Sequence, residues 1–133
     1  MKLKVIGSGS KGNSYALISE NEILLLEAGC RLIDVKKAIN FQIGKVVGCL
    51  ATHAHKDHIG YVKDFLSSGI KIYTNDETKE VVDCAYGEWL YGVPEKEMFK
   101  VGGFKVTPFY VPHNDIPNYG YLVEHEGMGK LLF

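Results

Sequence analysis

Four metal-ligand side chains fall within six consecutive residues of this chain. They are His53, His55, Asp57 and His58 in the stretch Thr-His-Ala-His-Lys-Asp-His-Ile-Gly, residues 52–60. Imidazole nitrogens and carboxylate oxygens suit zinc and its neighbours in the first transition row. In extended backbone, positions i, i+2 and i+4 point the same way. His53, His55 and Asp57 are therefore expected on one face, with a turn into the following helix swinging His58 back toward them. A solvated loop needs turn formers, not imidazoles. The chain has five histidines, and three are spent here. His113, in Val111-Pro112-His113-Asn114-Asp115, is the outlying candidate ligand. Asp115 could orient its ring through the other nitrogen, as carboxylates behind metal-bound histidines do; a turn residue before Pro117 is the competing reading. His125, between Glu124 and Glu126, reads as an exposed hairpin residue.

This donor set implies hydrolysis by metal-activated water. A bound divalent ion lowers the pKa of water from 15.7 to about 7, and two ions about 3.5–4 Å apart clamp both the attacking and the leaving oxygen of a phosphodiester. One or two Zn²⁺ per chain is the expectation, and Mn²⁺ also fits these donors.

The elements that must position these groups follow from the pattern. Leu3 to Ile6, Ser14 to Ser19 and Ile23 to Leu26 read as strands, the last two joined as a hairpin through Asn21-Glu22. Arg31 to Asn40 has Leu32, Val35 and Ile39 at helical spacing. The apolar run Val46 to Ala51 is the strand that delivers the motif. Gly60 to Ser68 is a helix burying Val62, Phe65 and Leu66 and stopped by Gly69. Lys71 to Tyr73 is a strand. Thr74-Asn75-Asp76-Glu77 reads as a capping box for a helix that buries Val81, Ala85 and Trp89. Phe104 to Tyr110, Asn118 to Glu124 and Lys130 to Phe133 are the remaining strands. The expected fold class is α/β: a mixed sheet with helices on one outer face, as in half of an αββα sandwich. Tyr119 and Tyr121 read as core residues near the cleft.

Gly7-x-Gly9-x-x-Gly12 follows a strand and so mimics a dinucleotide fingerprint. That fingerprint must open a helix, whereas Asn13 to Glu20 alternates like a strand. Nucleotide-cofactor binding is set aside. The glycine turn is instead expected to bring backbone N–H groups toward the metal site, with Ser10, Lys11 and Asn13 placed to touch an anionic group.

The 133 residues make a single domain, 1–133, of ordinary hydrophobic content at 46%. The formal charge of −1 gives no global basic field to draw in nucleic acid. The three cysteines, Cys30, Cys49 and Cys84, have no close pair, which fits a reduced, cytoplasmic setting. No signal-like leader and no apolar run of about 20 residues stands in the sequence, so no membrane partner is expected.

His-x-His-x-Asp-His at a strand end resembles the signature of the metallo-β-lactamase fold superfamily. The opening Ile6-Gly7-Ser8-Gly9-Ser10-Lys11-Gly12-Asn13-Ser14 resembles the first turn of its exonuclease-like and phosphodiesterase-like branch. Leu24-Leu25-Leu26-Glu27-Ala28-Gly29 resembles its second apolar strand with an acidic ending. The resemblance implies that His53, His55 and His113 hold a first metal, that Asp57 and His58 begin a second, and that Asp57 orients the attacking water. It also implies an Asp at position 27 behind the ligands, where this chain has Glu. The family's bridging Asp and last metal-binding His would lie beyond Phe133. The chain is therefore expected to be incomplete at its C-terminus, spanning the N-terminal half to two-thirds of the fold.

Three functions stand open from the sequence. The first is a metal-dependent phosphodiesterase or nuclease acting on a small anionic or phosphodiester substrate; the resemblance implies hydrolysis over redox chemistry, because the family's di-iron redox members tend to carry Glu where this chain has His55. The second is hydrolysis of another ester, thioester or lactam by the same metals. The third is an inactive remnant or interaction domain with a partial metal site, whose open strand edge favours a homodimer that restores a two-sheet core.

Overall fold

The computed structural model describes residues 1–82, 87–112 and 116–133. Ten strands form two sheets. The first runs β1 (Lys2–Gly7), β2 (Ser14–Ile18), β3 (Ile23–Leu26), β4 (Val46–Leu50), β5 (Ile72–Thr74) and β6 (Leu90–Gly92), side by side in that order. β1 to β3 pair antiparallel, and β3 to β6 pair parallel. The second sheet is antiparallel, in the order β10 (Gly129–Leu132), β9 (Asn118–His125), β8 (Phe104–Val111), β7 (Phe99–Val101).

Two apolar layers hold these sheets. Strand residues alternate between faces, so Ala16, Leu25, Cys49 and Ile72 face the helices α1 (Leu32–Ala38) and α3 (Val62–Ser67) through Val35, Val62, Phe65 and Leu66. On the other face Leu17, Leu24, Leu26 and Leu50 meet Phe104, Val106, Tyr121 and Val123 of the second sheet. The layering is helix, sheet, sheet.

The structure departs from the sequence reading in several places. The chain builds a second sheet of its own, β10-β9-β8-β7, packed on the first. β6 and β7 stand where the sequence reading placed no strand. The motif does not run extended through Asp57, because Lys56–Ile59 forms a separate helical turn, α2, before α3. The helix α4 (Asp76–Val81) is capped one residue later than the predicted box, by Asn75, whose side chain accepts from the Thr78 N–H at 2.7 Å. Val81 is exposed at 65% rather than buried. Trp89 lies beyond that helix in the turn Gly87–Trp89, with the Lys71 ammonium 5.4 Å from its ring. Ala85 and Cys84 lie outside the described residues. His125 is not an exposed tip. It ends β9, stacks 4.5 Å from the Phe104 ring, and lies 3.5 Å from Glu22 Oε1. β2 follows the glycine turn directly, which confirms that no dinucleotide-binding helix opens there. No helix among the described residues is long and apolar enough to cross a membrane.

Candidate metal centre

Parallel pairing of β3 with β4 sets Leu26 beside Leu50. The next residues, Glu27 on one strand and Ala51-Thr52-His53 on the other, therefore emerge together at the carboxyl edge of the sheet. Glu27 takes a left-handed backbone at φ 67°, a conformation that costs a non-glycine residue on the order of 1 kcal/mol. It is held there from both sides. Its N–H donates to Leu50 O at 2.7 Å, and its carbonyl accepts from Ser14 Oγ at 3.1 Å.

The Glu27 side chain, only 2% exposed, serves three donors. Oε1 accepts from the Thr52 N–H at 2.8 Å. Oε2 accepts from Thr52 Oγ1 at 2.7 Å and from His58 Nδ1. A hydroxyl has one proton to give. With that proton on Glu27, Thr52 Oγ1 accepts from His53 Nδ1 at 2.8 Å. Both imidazoles therefore carry their proton on Nδ1, which leaves the lone pair on Nε2. One buried carboxylate thus fixes the tautomers of two histidines, one directly and one through a hydroxyl.

The rings these bonds orient lie together. His53 and His58 have centroids 4.2 Å apart, and His53 and His55 4.6 Å. His55 stands at the extended position that opens α2. Asp57 Oδ2 lies 3.6 Å from His58 Nε2. Burial disfavours the charged form of His58, but the bond to Glu27 and the charges of Glu27 and Asp57 outweigh it and raise its pKa. Glu27, His53 and His58 offer ligand atoms within 4.8 Å of one another. Both Glu27 oxygens are already accepting hydrogen bonds, so this carboxylate suits orienting the rings better than binding an ion. With one methylene more than the Asp that the resemblance implies at this position, the Glu27 side chain touches Thr52 and His58 together.

The opening turn acts on Asp57. Asn13 is buried, and its Nδ2 donates to Gly9 O at 3.0 Å, Asp57 O at 3.1 Å and Asp57 Oδ2 at 3.3 Å. Its backbone N–H donates to Asp57 O at 2.7 Å. Asn13 thus holds Asp57 from behind, through both its side chain and its backbone. The predicted approach of a turn N–H to the site is present as that backbone bond. Ser10 and Lys11 are exposed and line a cleft of about 590 Å³ with Lys56, Asp57 and Tyr61. His113 and Asp115 lie outside the described residues.

Sequence reasoning missed Thr52, and the bonds by which Asn75 and Tyr121 reach the strand end beside it. Asn75 Nδ2 and the Tyr119 N–H both donate to Thr52 O, at 3.1 and 2.8 Å. The Tyr121 hydroxyl donates to Ala51 O at 2.7 Å. These bonds pin the backbone just before His53. The threonine beside the first histidine was the one available signal. Tyr119 and Tyr121 are core residues, as expected, at 2% and 0% exposure. A cavity of about 940 Å³ opens beside Glu22 and His125, and none of His53, His55 and His58 lines it.

Comparison with known proteins agrees with this fold. The sequence is 28% identical over 125 residues to the exodeoxyribonuclease WalJ of Streptococcus pneumoniae serotype 2, covering 86% of this chain and 46% of that protein. The chain thus spans about half the length of the curated relatives it matches. The fold superposes on the metallo-β-lactamase fold protein YhfI of Bacillus subtilis with a TM-score of 0.74 at 17% identity, covering 98% of this chain and 60% of that one. A diphosphatase of the PhnP family matches with a TM-score of 0.69 at 20% identity, over 92% of this chain and 61% of that one. The sequence profile of the Metallo-beta-lactamase superfamily matches residues 7–133. The chain belongs to the metallo-β-lactamase superfamily, a hydrolytic family whose fold implies binding of divalent metal ions.

Proposed function

We propose that the chain carries a metal-dependent phosphodiesterase centre of the nuclease type, with His53, His55, Asp57, His58 and His113 as ligands and Zn²⁺ or Mn²⁺ as the ion. The observation that carries the reading is the shared Glu27 carboxylate, which turns the lone pairs of His53 and His58 outward on Nε2. Neutral imidazole with its other nitrogen bonded to a carboxylate or hydroxyl is the state that a metal ligand needs. When bound, the ion supplies Lewis acidity and water of lowered pKa.

The chain's own groups do the rest. Asn13 Nδ2 and the Asn13 N–H hold Asp57 with its side chain 33% exposed, so that its carboxylate orients the attacking water and accepts a proton from it. Glu27 and Thr52 keep His58 and His53 from turning away as charge develops. The choice of phosphodiesters is supported by the exodeoxyribonuclease relative and the diphosphatase neighbour. Reconstitution with Zn²⁺ or Mn²⁺, elemental analysis, and a panel of bis(4-nitrophenyl) phosphate, single-stranded DNA, a cyclic nucleotide, a thioester and a β-lactam tests it. Bound metal with turnover of the phosphodiesters alone is the expected result. Turnover confined to the thioester or lactam, or failure to bind metal, would overturn it.

A further inference from the structure

We propose that the cleft between the opening glycine turn and α2 is a phosphate-binding subsite. It would hold a second phosphate of the substrate beside the scissile one, with Lys11 and Lys56 as its determinants. The inference rests on the phosphodiesterase reading and narrows it to substrates that carry neighbouring phosphates, such as an oligonucleotide, over isolated diesters.

The cleft of about 590 Å³ shares one wall residue, Asp57, with the candidate centre. Its remaining polar lining is Ser10, Lys11, Lys56 and Tyr61. Two lysines and one carboxylate line it, and Oδ2 of that carboxylate accepts from Asn13 Nδ2 at 3.3 Å and lies 3.6 Å from His58 Nε2. Lysine binds phosphate as a point charge, and both lysines are exposed to a ligand arriving from solvent.

The cleft is prebuilt. Gly29 N–H donates to Asn13 O at 2.9 Å, Ala28 N–H to His58 O at 2.8 Å, and Tyr61 N–H to Ala28 O at 2.9 Å. These bonds lock the glycine turn, the loop after β3 and the α2 turn into one body. A Cβ at Gly12 would stand 2.2 Å from Gly29 O, so the loops touch backbone to backbone. A rigid site spends little binding energy on ordering itself.

Charge is also distributed unequally around the motif. On the β5 side α4 flanks Thr52 through Asn75 and exposes three carboxylates, Asp76, Glu77 and Glu80, against one lysine, Lys79. On the side of β1 to β3 stand Lys11 and Lys56. A polyanion reaching the histidines is repelled from the first flank and attracted to the second. The near-zero net charge of the chain conceals this asymmetry.

The direct test is an amide NMR titration of the metal-free protein with inorganic pyrophosphate. It is repeated on a Lys11→Gln/Lys56→Gln variant, whose changes are on the surface and leave the fold intact. Saturable shifts at Ser10, Lys11, Gly29, Lys56 and Tyr61, weakened about tenfold or more in the variant and by added salt, are expected. Shifts that miss these residues, or that persist unchanged in the variant, overturn the subsite. With metal restored, the ratio of kcat/KM for a short oligonucleotide to that for bis(4-nitrophenyl) phosphate should fall about tenfold in the variant, mainly through KM. An unchanged ratio counts against the subsite. Pyrophosphate binding in the cleft of a protein that turns over no phosphodiester would sink the phosphodiesterase reading and leave the anion site standing.

Discussion

Replacing Glu27 with Gln keeps the size of the side chain and removes its charge. In the native protein its two oxygens accept from three donors, the Thr52 N–H, the Thr52 hydroxyl and His58 Nδ1. An amide has one oxygen and one NH₂, so at least one donor must then face another donor. Hydrogen bonds to a charged group contribute about 1.5–3 kcal/mol each, and a buried donor left unpaired costs about 1–3 kcal/mol. Some of this is recovered by rotating the Thr52 hydroxyl. The metal-free variant should therefore lose about 3 kcal/mol of stability, or roughly 10 °C in Tm at this chain length. The metal effect is separate. In the variant the amide oxygen can keep the bonds to Thr52 Oγ1 and His58 Nδ1 only by setting the NH₂ against the Thr52 N–H. Both rings are then held less firmly with Nε2 outward, and disturbing such a partner typically weakens metal binding 10–100-fold. Chelator competition with Co²⁺ or Zn²⁺ measures the affinity, and urea unfolding of the metal-free protein measures the stability. Glu27→Asp is the control for reach. It restores the charge but is shorter by one methylene, so it can serve Thr52 or His58 and not both, and should recover only part of the affinity. A folded Glu27→Gln protein that binds metal within twofold of the native affinity would refute the shared-carboxylate argument.

Other outcomes follow from the same geometry. The raised His58 pKa stabilises the metal-free protein fully below the ordinary histidine value of about 6.5, and this contribution is lost as pH rises through the raised value. Metal binding needs the neutral ring and strengthens as pH rises, so removing metal should shift the pH of highest Tm toward acid, as read by thermal scans with and without chelator. Gly29→Ala places a Cβ 1.9 Å from Asp57 O and 2.6 Å from Asn13 N; both are backbone atoms, so the loop must move, and metal affinity should drop more than tenfold even where circular dichroism shows a folded protein. Tyr121→Phe removes the hydroxyl that bonds Ala51 O and should cost about 1–3 kcal/mol in urea unfolding, with a smaller effect on metal affinity than Glu27→Gln.

The local parts of this fold were legible because they are written in neighbouring residues. The β2–β3 hairpin, the apolar strand before His53, and the helices over Leu32–Ala38 and Val62–Ser67 each carry their own period and their own stop signal. Readings failed where the signal was short or ambiguous. Three-residue strands such as Leu90–Gly92 show no alternation, and Thr74 and Asn75 are both acceptable caps until β5 takes Thr74 into its ladder.

By itself, the sequence determined that imidazoles and a carboxylate are concentrated at the end of a buried strand, and so what kind of chemistry the chain can support. That follows from residue type and spacing, which do not depend on the rest of the molecule. Only the tertiary structure decided how those donors are aimed. Glu27 meets Thr52 and His58 across 25 and 31 residues of chain, and Asn13 meets Asp57 across 44. The tautomer of a histidine is set by its partner on the far nitrogen. Here those partners arrive from separate strands and loops, brought together only when β3 and β4 pair in parallel and the glycine turn closes on α2.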